Sequence, residues 1–348
     1  MVVQPVNDMH QARLIARSWQ FWLGLVVSLV CLALALQGVN FKEVGAALER
    51  VDGWWMLLAL LSVLSTFGAK AMRWELLFRD DCPTFREAFS IQSIGMLFNI
   101  FAPARLGDLA RAYLMGEARS TSKVYVLGTV VVEKILDLVF LLLVLLCVVS
   151  QMALPGWLAS PALRLGVTSV LLVALVGLLT WQRQAVANLV GKLAGCLPGS
   201  WSDWLVQKIG LALKSLDVFQ QPKPLAGVIA WSIIAWLLAV STNLLVFAAM
   251  GLQLSIWTGL LLLVVLQVGL AVPSSPGRIG VFHYLVVITL LAFGVDREAA
   301  LGCGVMLHLV TIAPIGIVGS FCLWREKVTW DKLTEAVSQL NRMMRRAE

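Results

Sequence analysis

Apolar runs about as long as a bilayer-spanning helix recur along this sequence, and they fix the solvent in which it folds. Phe21–Leu36 and Pro224–Met250 hold no charged residue, and Val124–Val149 holds only Glu133, Lys134 and Asp137. A helix needs roughly 20 apolar residues to cross the hydrocarbon core. Hydrophobic residues make up 59% of the chain and charged ones 14%, against about 25% charged in a soluble domain. The expected fold class is an all-α polytopic membrane protein, with few residues left for a soluble catalytic domain.

Spans are predicted near Trp19–Gln37, Trp54–Ala71, Tyr125–Val149, Leu163–Trp181, Leu225–Met250 and Ala299–Leu323. Arg13 and Arg17 precede the first, which is long and lacks a convincing cleavage site, so it reads as a retained helix rather than a signal peptide. Two further apolar regions, about 88–115 and 256–293, are each broken in the middle by Pro-x-Arg-[Leu/Ile]-Gly, at Pro103 and Pro276. The six cysteines contain no Cys-x-x-Cys pair and read as apolar filler. No cofactor or metal is expected, and the +7 charge fits loops facing anionic lipid better than a nucleic acid.

Lysine and arginine in short loops set orientation. The N-terminus, the loop after the fourth span and the basic tail are all placed in the cytoplasm, and the Lys/Arg-free loop 151–162 outside. Lys70, Arg73, Arg79, Arg86, Arg105, Arg111, Arg119 and Lys123 all stay inside only if region 88–115 enters and leaves on the cytoplasmic side. Region 256–293 must then open outwards. About six full spans plus two re-entrant broken-helix hairpins result, arranged as an inverted-topology repeat of 1–150 and 151–324, a pattern of alternating-access transporters. The second spans and the hairpin prolines are offset by 171 and 173 residues. Segments 184–221 and 325–348 read as basic amphipathic helices on the cytoplasmic surface.

Each break is read as a helix start inside the membrane. Ser274 and Ser275 before Pro276 resemble a cap followed by proline at the first turn. Arg105 and Arg278 would then fall in the first turn, beside unpaired N–H groups and the positive end of the dipole. Gly107 and Gly280 would allow close approach. Together these make an anion site suited to phosphate, although either arginine could instead snorkel to water. Asp108 and Arg111 share the first short helix. Glu133 and Asp137 are i, i+4 on one face of a span, with Lys134 pointing elsewhere, and the arginines are their expected partners. They are read either as a structural ion pair or as a site that positions the arginines or binds a proton. His308 is read either as a packing residue or as a proton carrier.

At these residues the sequence resembles a known family: the flippase-like membrane domain of lysylphosphatidylglycerol synthases, found also in multiple peptide resistance factors and stand-alone relatives. The resemblance rests on Asn99, Pro103, Arg105, Gly107, Asp108, Arg111, Glu133 and Asp137, then on Pro273, Pro276, Gly277 and Gly280, and on His308, Pro314 and Gly319. It implies movement of a lipid or lipid-linked head group between leaflets, in the cell inner (plasma) membrane. The resemblance also implies departures here: His283 where the family has glutamate, Arg278 where a small or aromatic residue is usual, and Asp108 for glutamate. The synthases carry a soluble transferase domain after the membrane part, whereas this chain runs about 24 residues past the last predicted span. A transporter is therefore expected rather than an enzyme. The expected substrate-binding residues are Asn99, Arg105, Gly107, Asp108, Arg111, Glu133, Asp137, Ser275, Arg278, Gly280, His283 and His308. Expected partners are membrane lipids, with a separate glycosyltransferase or lipid-modifying enzyme, or a second copy of the chain, as further options. Two alternatives stay open: a membrane-embedded transferase with a lipid-phosphate donor, and a non-catalytic partner of a separate synthase.

Overall fold

A computed structural model describes residues 19–78, 82–101, 106–152, 214–270 and 274–329, with isolated positions between 156 and 210. Among the described residues the chain is helical throughout. The helices are α1 (Trp19–Leu36), α2 (Phe41–Glu49), α3 (Gly53–Glu75), α4 (Phe85–Phe101), α5 (Leu106–Ala118), α6 (Lys123–Gln151), α7 (Pro222–Ala249), α8 (Ile256–Gly269), α9 (Val281–Leu291) and α10 (Arg297–Arg325).

Local chemistry sets many of the boundaries. Asn40 starts α2 by accepting from the Lys42 N–H, and Asp52 starts α3 by accepting from the Trp54 N–H at 2.8 Å. Thr84 and Glu87 form a reciprocal capping box at the head of α4, with Thr84 N–H to Glu87 Oε2 at 2.8 Å and Glu87 N–H to Thr84 Oγ1 at 3.4 Å. Ser255 caps α8 through the Thr258 N–H.

Three helices are each long and apolar enough to cross a membrane: α3, α7 and α10. They contain the predicted spans at Trp54–Ala71 and Ala299–Leu323, and all of Leu225–Met250 but its last residue. The predicted first span is α1, which bends by 84° into α2, so the pair makes a fourth candidate. The predicted span at Tyr125–Val149 lies within the 29-residue α6, which carries the buried charges and is not one of those three. The predicted span at 163–181 and the surface helices at 184–221 and 325–348 lie largely outside the described residues.

Both broken regions form consecutive short helices that pack on each other, α4 on α5 and α8 on α9. The most extensive pairing in the bundle is α3 on α7. It is zipped by small polar groups: Ser62 Oγ donates to the Leu238 carbonyl at 2.8 Å, and Thr242 Oγ1 to Ser62 Oγ at 3.2 Å. Hydrogen bonds between small residues hold helices together where lipid removes the hydrophobic drive. Other pairings come in matched sets: α3–α4 with α7–α8, α5–α6 with α9–α10, and α4–α10 with α8–α6. The helix α4 also packs against the Pro276–Arg278 turn, so the two broken regions meet.

Candidate functional site

The site grows from α6. Glu133 and Asp137 are one turn apart and take their arginine partners from α3 and α5. Arg111 of α5 forks onto Glu133, with Nη2 to Oε2 at 2.8 Å and Nη1 to Oε1 at 3.4 Å. Arg73 of α3 donates to Asp137 Oδ1 at 2.7 Å and lies 3.5 Å from Glu133 Oε1. At the other end Arg111 is 3.8 Å from Asp108, which Lys134 approaches to 3.4 Å. Six side chains thus run in alternating sign: Lys134, Asp108, Arg111, Glu133, Arg73, Asp137.

The middle of this run is sealed from solvent. Arg73, Arg111 and Glu133 are 0%, 2% and 3% exposed, whereas the Asp137 and Lys134 side chains at the ends are 27% and 41% exposed. Charges this deep persist only when paired and hydrogen-bonded. The Trp74 ring adds support, lying 4.2 Å from the Arg111 guanidinium carbon, and is itself fixed by a 3.1 Å hydrogen bond from Nε1 to Thr129 Oγ1.

Two glycines let Arg111 reach. A Cβ on Gly95 would sit 2.4 Å from Arg111 Cγ, and one on Gly107 would sit 2.0 Å from the Gly95 carbonyl oxygen. The side chain therefore passes through a space that an alanine would close. Asn99 Oδ1 accepts from the Gly107 N–H at 2.8 Å, so a side chain across the break already holds one of the N–H groups at the start of α5. Arg105 lies outside the described residues.

The second break differs from the helix start expected at Pro276. Pro276–Arg278 is one isolated turn, and α9 begins only at Val281. Gly277, Arg278 and Gly280 all have positive φ, of 70°, 60° and 90°. Arg278 therefore precedes the helix instead of lying in its first turn. The reason is packing against α1: a Cβ on Gly280 would be 2.1 Å from the Ser28 carbonyl oxygen, and Ser28 Oγ accepts from the Ser275 N–H at 2.7 Å. The Ser275 hydroxyl donates to the Ile279 carbonyl and caps no N–H. His308 Nε2 donates to the Gly277 carbonyl at 2.8 Å, and the His283 and His308 rings lie 4.9 Å apart. The structure thus brings Asn99, Gly107, Asp108, Arg111, Glu133 and Asp137 together, and gathers Ser275, Arg278, Gly280, His283 and His308 around the second break.

Two members of the first cluster escape a sequence reading. Lys134 turns to Asp108 instead of pointing away. Arg73 passes for a loop charge because it follows the apolar run, yet it is completely buried. Its signal was a polar stripe at helical spacing, Ser62, Thr66, Lys70 and Arg73.

The profile of the lysylphosphatidylglycerol synthase TM region matches residues 21–319. The chain belongs to that family. It is 22% identical over 317 residues to a UPF0104 membrane protein of Methanothermobacter thermautotrophicus, covering 85% of this chain and 92% of the relative. A second UPF0104 membrane protein, from Methanocaldococcus jannaschii, is 21% identical over 229 residues, covering 66% and 94%. No solved structure matches. This member of the synthase TM-region family is a membrane protein with several apolar helices, and its charge cluster lies within the matched region.

Proposed function

We propose that this protein is a lipid translocase of the plasma membrane, with both termini cytoplasmic, moving an anionic or phosphate-containing lipid or lipid-linked head group between leaflets. The head group passes between the two halves, beside the charged run on α3, α5 and α6, while the tail stays in the bilayer. One observation carries the reading: the alternating run of charges that ties a broken hairpin helix, α5, to α3 and α6 inside an apolar bundle. Charges at membrane depth mark substrate or ion paths by default.

The reading takes the two halves as an inverted repeat. Helices α3 to α6 and α7 to α10 follow one order, α6 and α10 are both 29 residues long, and the packing partners correspond when the halves are exchanged. Two re-entrant hairpins, the first helix of one packed against the Pro276–Arg278 turn of the other, suit alternating access around a site near midplane. The transferase alternative is the weaker one. Both Glu133 oxygens are taken by guanidinium groups, which leaves that carboxylate poorly placed to act as a base.

The test is leaflet exchange of fluorescent phospholipids in proteoliposomes, read by dithionite quenching. Wild-type protein accelerates exchange, and an Arg111→Ala, Glu133→Ala variant slows it. Exchange no faster than in protein-free vesicles, for every phosphate-bearing lipid tried, sinks the reading.

A further inference from the structure

Two histidines meet at the second break, outside the charged run. His283 stands in the first turn of α9 and His308 within α10, with ring centroids 4.9 Å apart. Phe282 lies edge-on to both rings, at 6.0 and 5.1 Å. The Gly277 carbonyl only accepts, so the neutral His308 ring carries its proton on Nε2 and a lone pair on Nδ1. His308 Nδ1 is therefore the atom at which that ring takes a further proton. His283 is 9% exposed, and its Nδ1 is buried with no hydrogen-bond partner among the described residues. A phenyl ring would fill the same space without an orphaned polar atom, so packing alone does not account for an imidazole there.

The surroundings of the pair decide how many protons it holds. The adjoining turn brings Arg278, the residue after the carbonyl that His308 grips. Among the described residues, α8 has no titratable group, α1 has Cys31, and α9 adds only Tyr284. Helix α10 adds Cys303 and Cys322 and keeps Arg297, Glu298 and Arg325 in its end turns, and α4 keeps Arg86 and Glu87 in its first. Of the other helices on α10, α7 carries Lys223 and α2 carries Lys42, Glu43 and Glu49. Helix α3 carries Lys70, Arg73 and Glu75 in its last two turns. With a guanidinium on the turn and two rings this close, a second positive charge on the pair is repelled. The pair takes one proton rather than two.

We propose that His283 and His308 form a binding site for one proton, and that lipid movement is coupled to the proton gradient through it. The coupling rests on the translocase reading; the proton site does not. The proton arrives at and leaves from His308 Nδ1, so no bond other than that N–H forms or breaks. An anionic head group that crosses with one proton carries no net charge, which lowers the cost of its passage through hydrocarbon. The proton also bears on the turn, because it adds charge beside Arg278. That turn packs on α4, and Ser275 just before it is bonded to Ser28 of α1. The plain alternative is an aromatic stack that fastens α9 to α10, and it predicts rings that never change charge.

The experiment has two readouts on the full chain. The chain has 3 histidines, so a His10→Gln background in nanodiscs leaves the two rings of the pair as the signals in nitrogen NMR of labelled histidine. Across about pH 5 to 8, where histidine charge normally changes, the pair is expected to take up one proton, with His308 Nδ1 responding. His283→Phe should move the His308 midpoint by about one pH unit. Leaflet exchange of fluorescent phosphatidylglycerol is then read in proteoliposomes with a gradient of about one pH unit imposed in either sense. The two wild-type rates should differ by up to about tenfold, the most that one proton supplies at that gradient. His283→Phe should abolish the difference, as should His308→Gln, which keeps a donor for the Gly277 carbonyl. Rings that stay in one charge state, a His308 titration indifferent to His283→Phe, wild-type exchange indifferent to the gradient, or a gradient response that survives both substitutions overturns the proposal. A titrating pair in a protein that exchanges no lipid leaves the proton site standing and removes the translocase reading. Lipid exchange with silent rings does the reverse.

Discussion

Arg111 and Glu133 meet as a two-pronged pair, 2.8 and 3.4 Å long, that joins the second helix of a broken hairpin to the middle of a long helix. Both side chains are almost wholly buried, so each is the other's main compensation for leaving water. The pair decides how α5 sits against α6, and through Arg73 it also reaches α3.

Glu133→Leu leaves two buried guanidiniums short of a carboxylate and is expected to destabilise by about 3–5 kcal/mol. Arg111→Met strands Glu133 less completely, because Arg73 remains 3.5 Å away. The two changes together should destabilise by less than their sum, by a coupling of about 0.5–3 kcal/mol. A double-mutant cycle of unfolding in detergent measures this. Strict additivity contradicts the contact.

How far the sequence reading reached is explained by what each signal depends on. The apolar runs and both breaks were legible, because membrane helices announce themselves by composition and prolines by their missing N–H. The pairing of Glu133 with Arg111 was legible, since charges in a greasy helix must find one another, whereas Asp137 pairs with Arg73 instead of the expected arginines. The burial of Arg73 was not, because loop-charge counting treats any arginine after an apolar run as solvated. The false helix start at Pro276 has a different cause. Ser-Ser-Pro is a local cap signal, but the backbone there is set by α1, more than 240 residues away in sequence. The glycines at 277 and 280 take positive φ to let that contact form.

Gly107→Ala should weaken the α4–α5 hairpin strongly. The new Cβ would fall 2.0 Å from the Gly95 carbonyl oxygen, a backbone atom that cannot rotate aside. A destabilisation of about 1–3 kcal/mol or more is expected from such overpacking. Gly45→Ala in α2 is the control, since nothing lies within 4 Å of its added Cβ. Helix propensity alone should make that variant more stable by up to about 1 kcal/mol. Thermal melts of both variants test the contrast, and equal shifts refute it.

Ser28→Ala should release the second break from α1. It removes the acceptor of the Ser275 N–H, a bond of 2.7 Å, and is expected to destabilise by about 0.5–1.5 kcal/mol. Hydrogen exchange read on peptides covering Ser274–Gly280 should accelerate, with α6 unaffected. Gly280→Ala should act more severely, since its Cβ would press on the Ser28 carbonyl at a φ of 90°. Unchanged exchange in Ser28→Ala would show that α1 does not hold the turn.

His308 anchors the same turn from the opposite side. A carbonyl oxygen only accepts, so the 2.8 Å contact with Gly277 requires a proton on Nε2, whatever the charge of the ring. His308→Phe keeps the ring packing against Phe282, whose centroid is 5.1 Å away, but loses the donor. It should therefore loosen the Pro276–Arg278 turn, by about 1 kcal/mol, without disturbing the core around Leu307. His308→Gln retains a donor on a flexible chain and should recover part of that loss. Exchange rates of peptides spanning 274–280, compared across the three proteins, decide the matter: a ring acting only by its bulk would leave His308→Phe like wild type and His308→Gln the worse of the two.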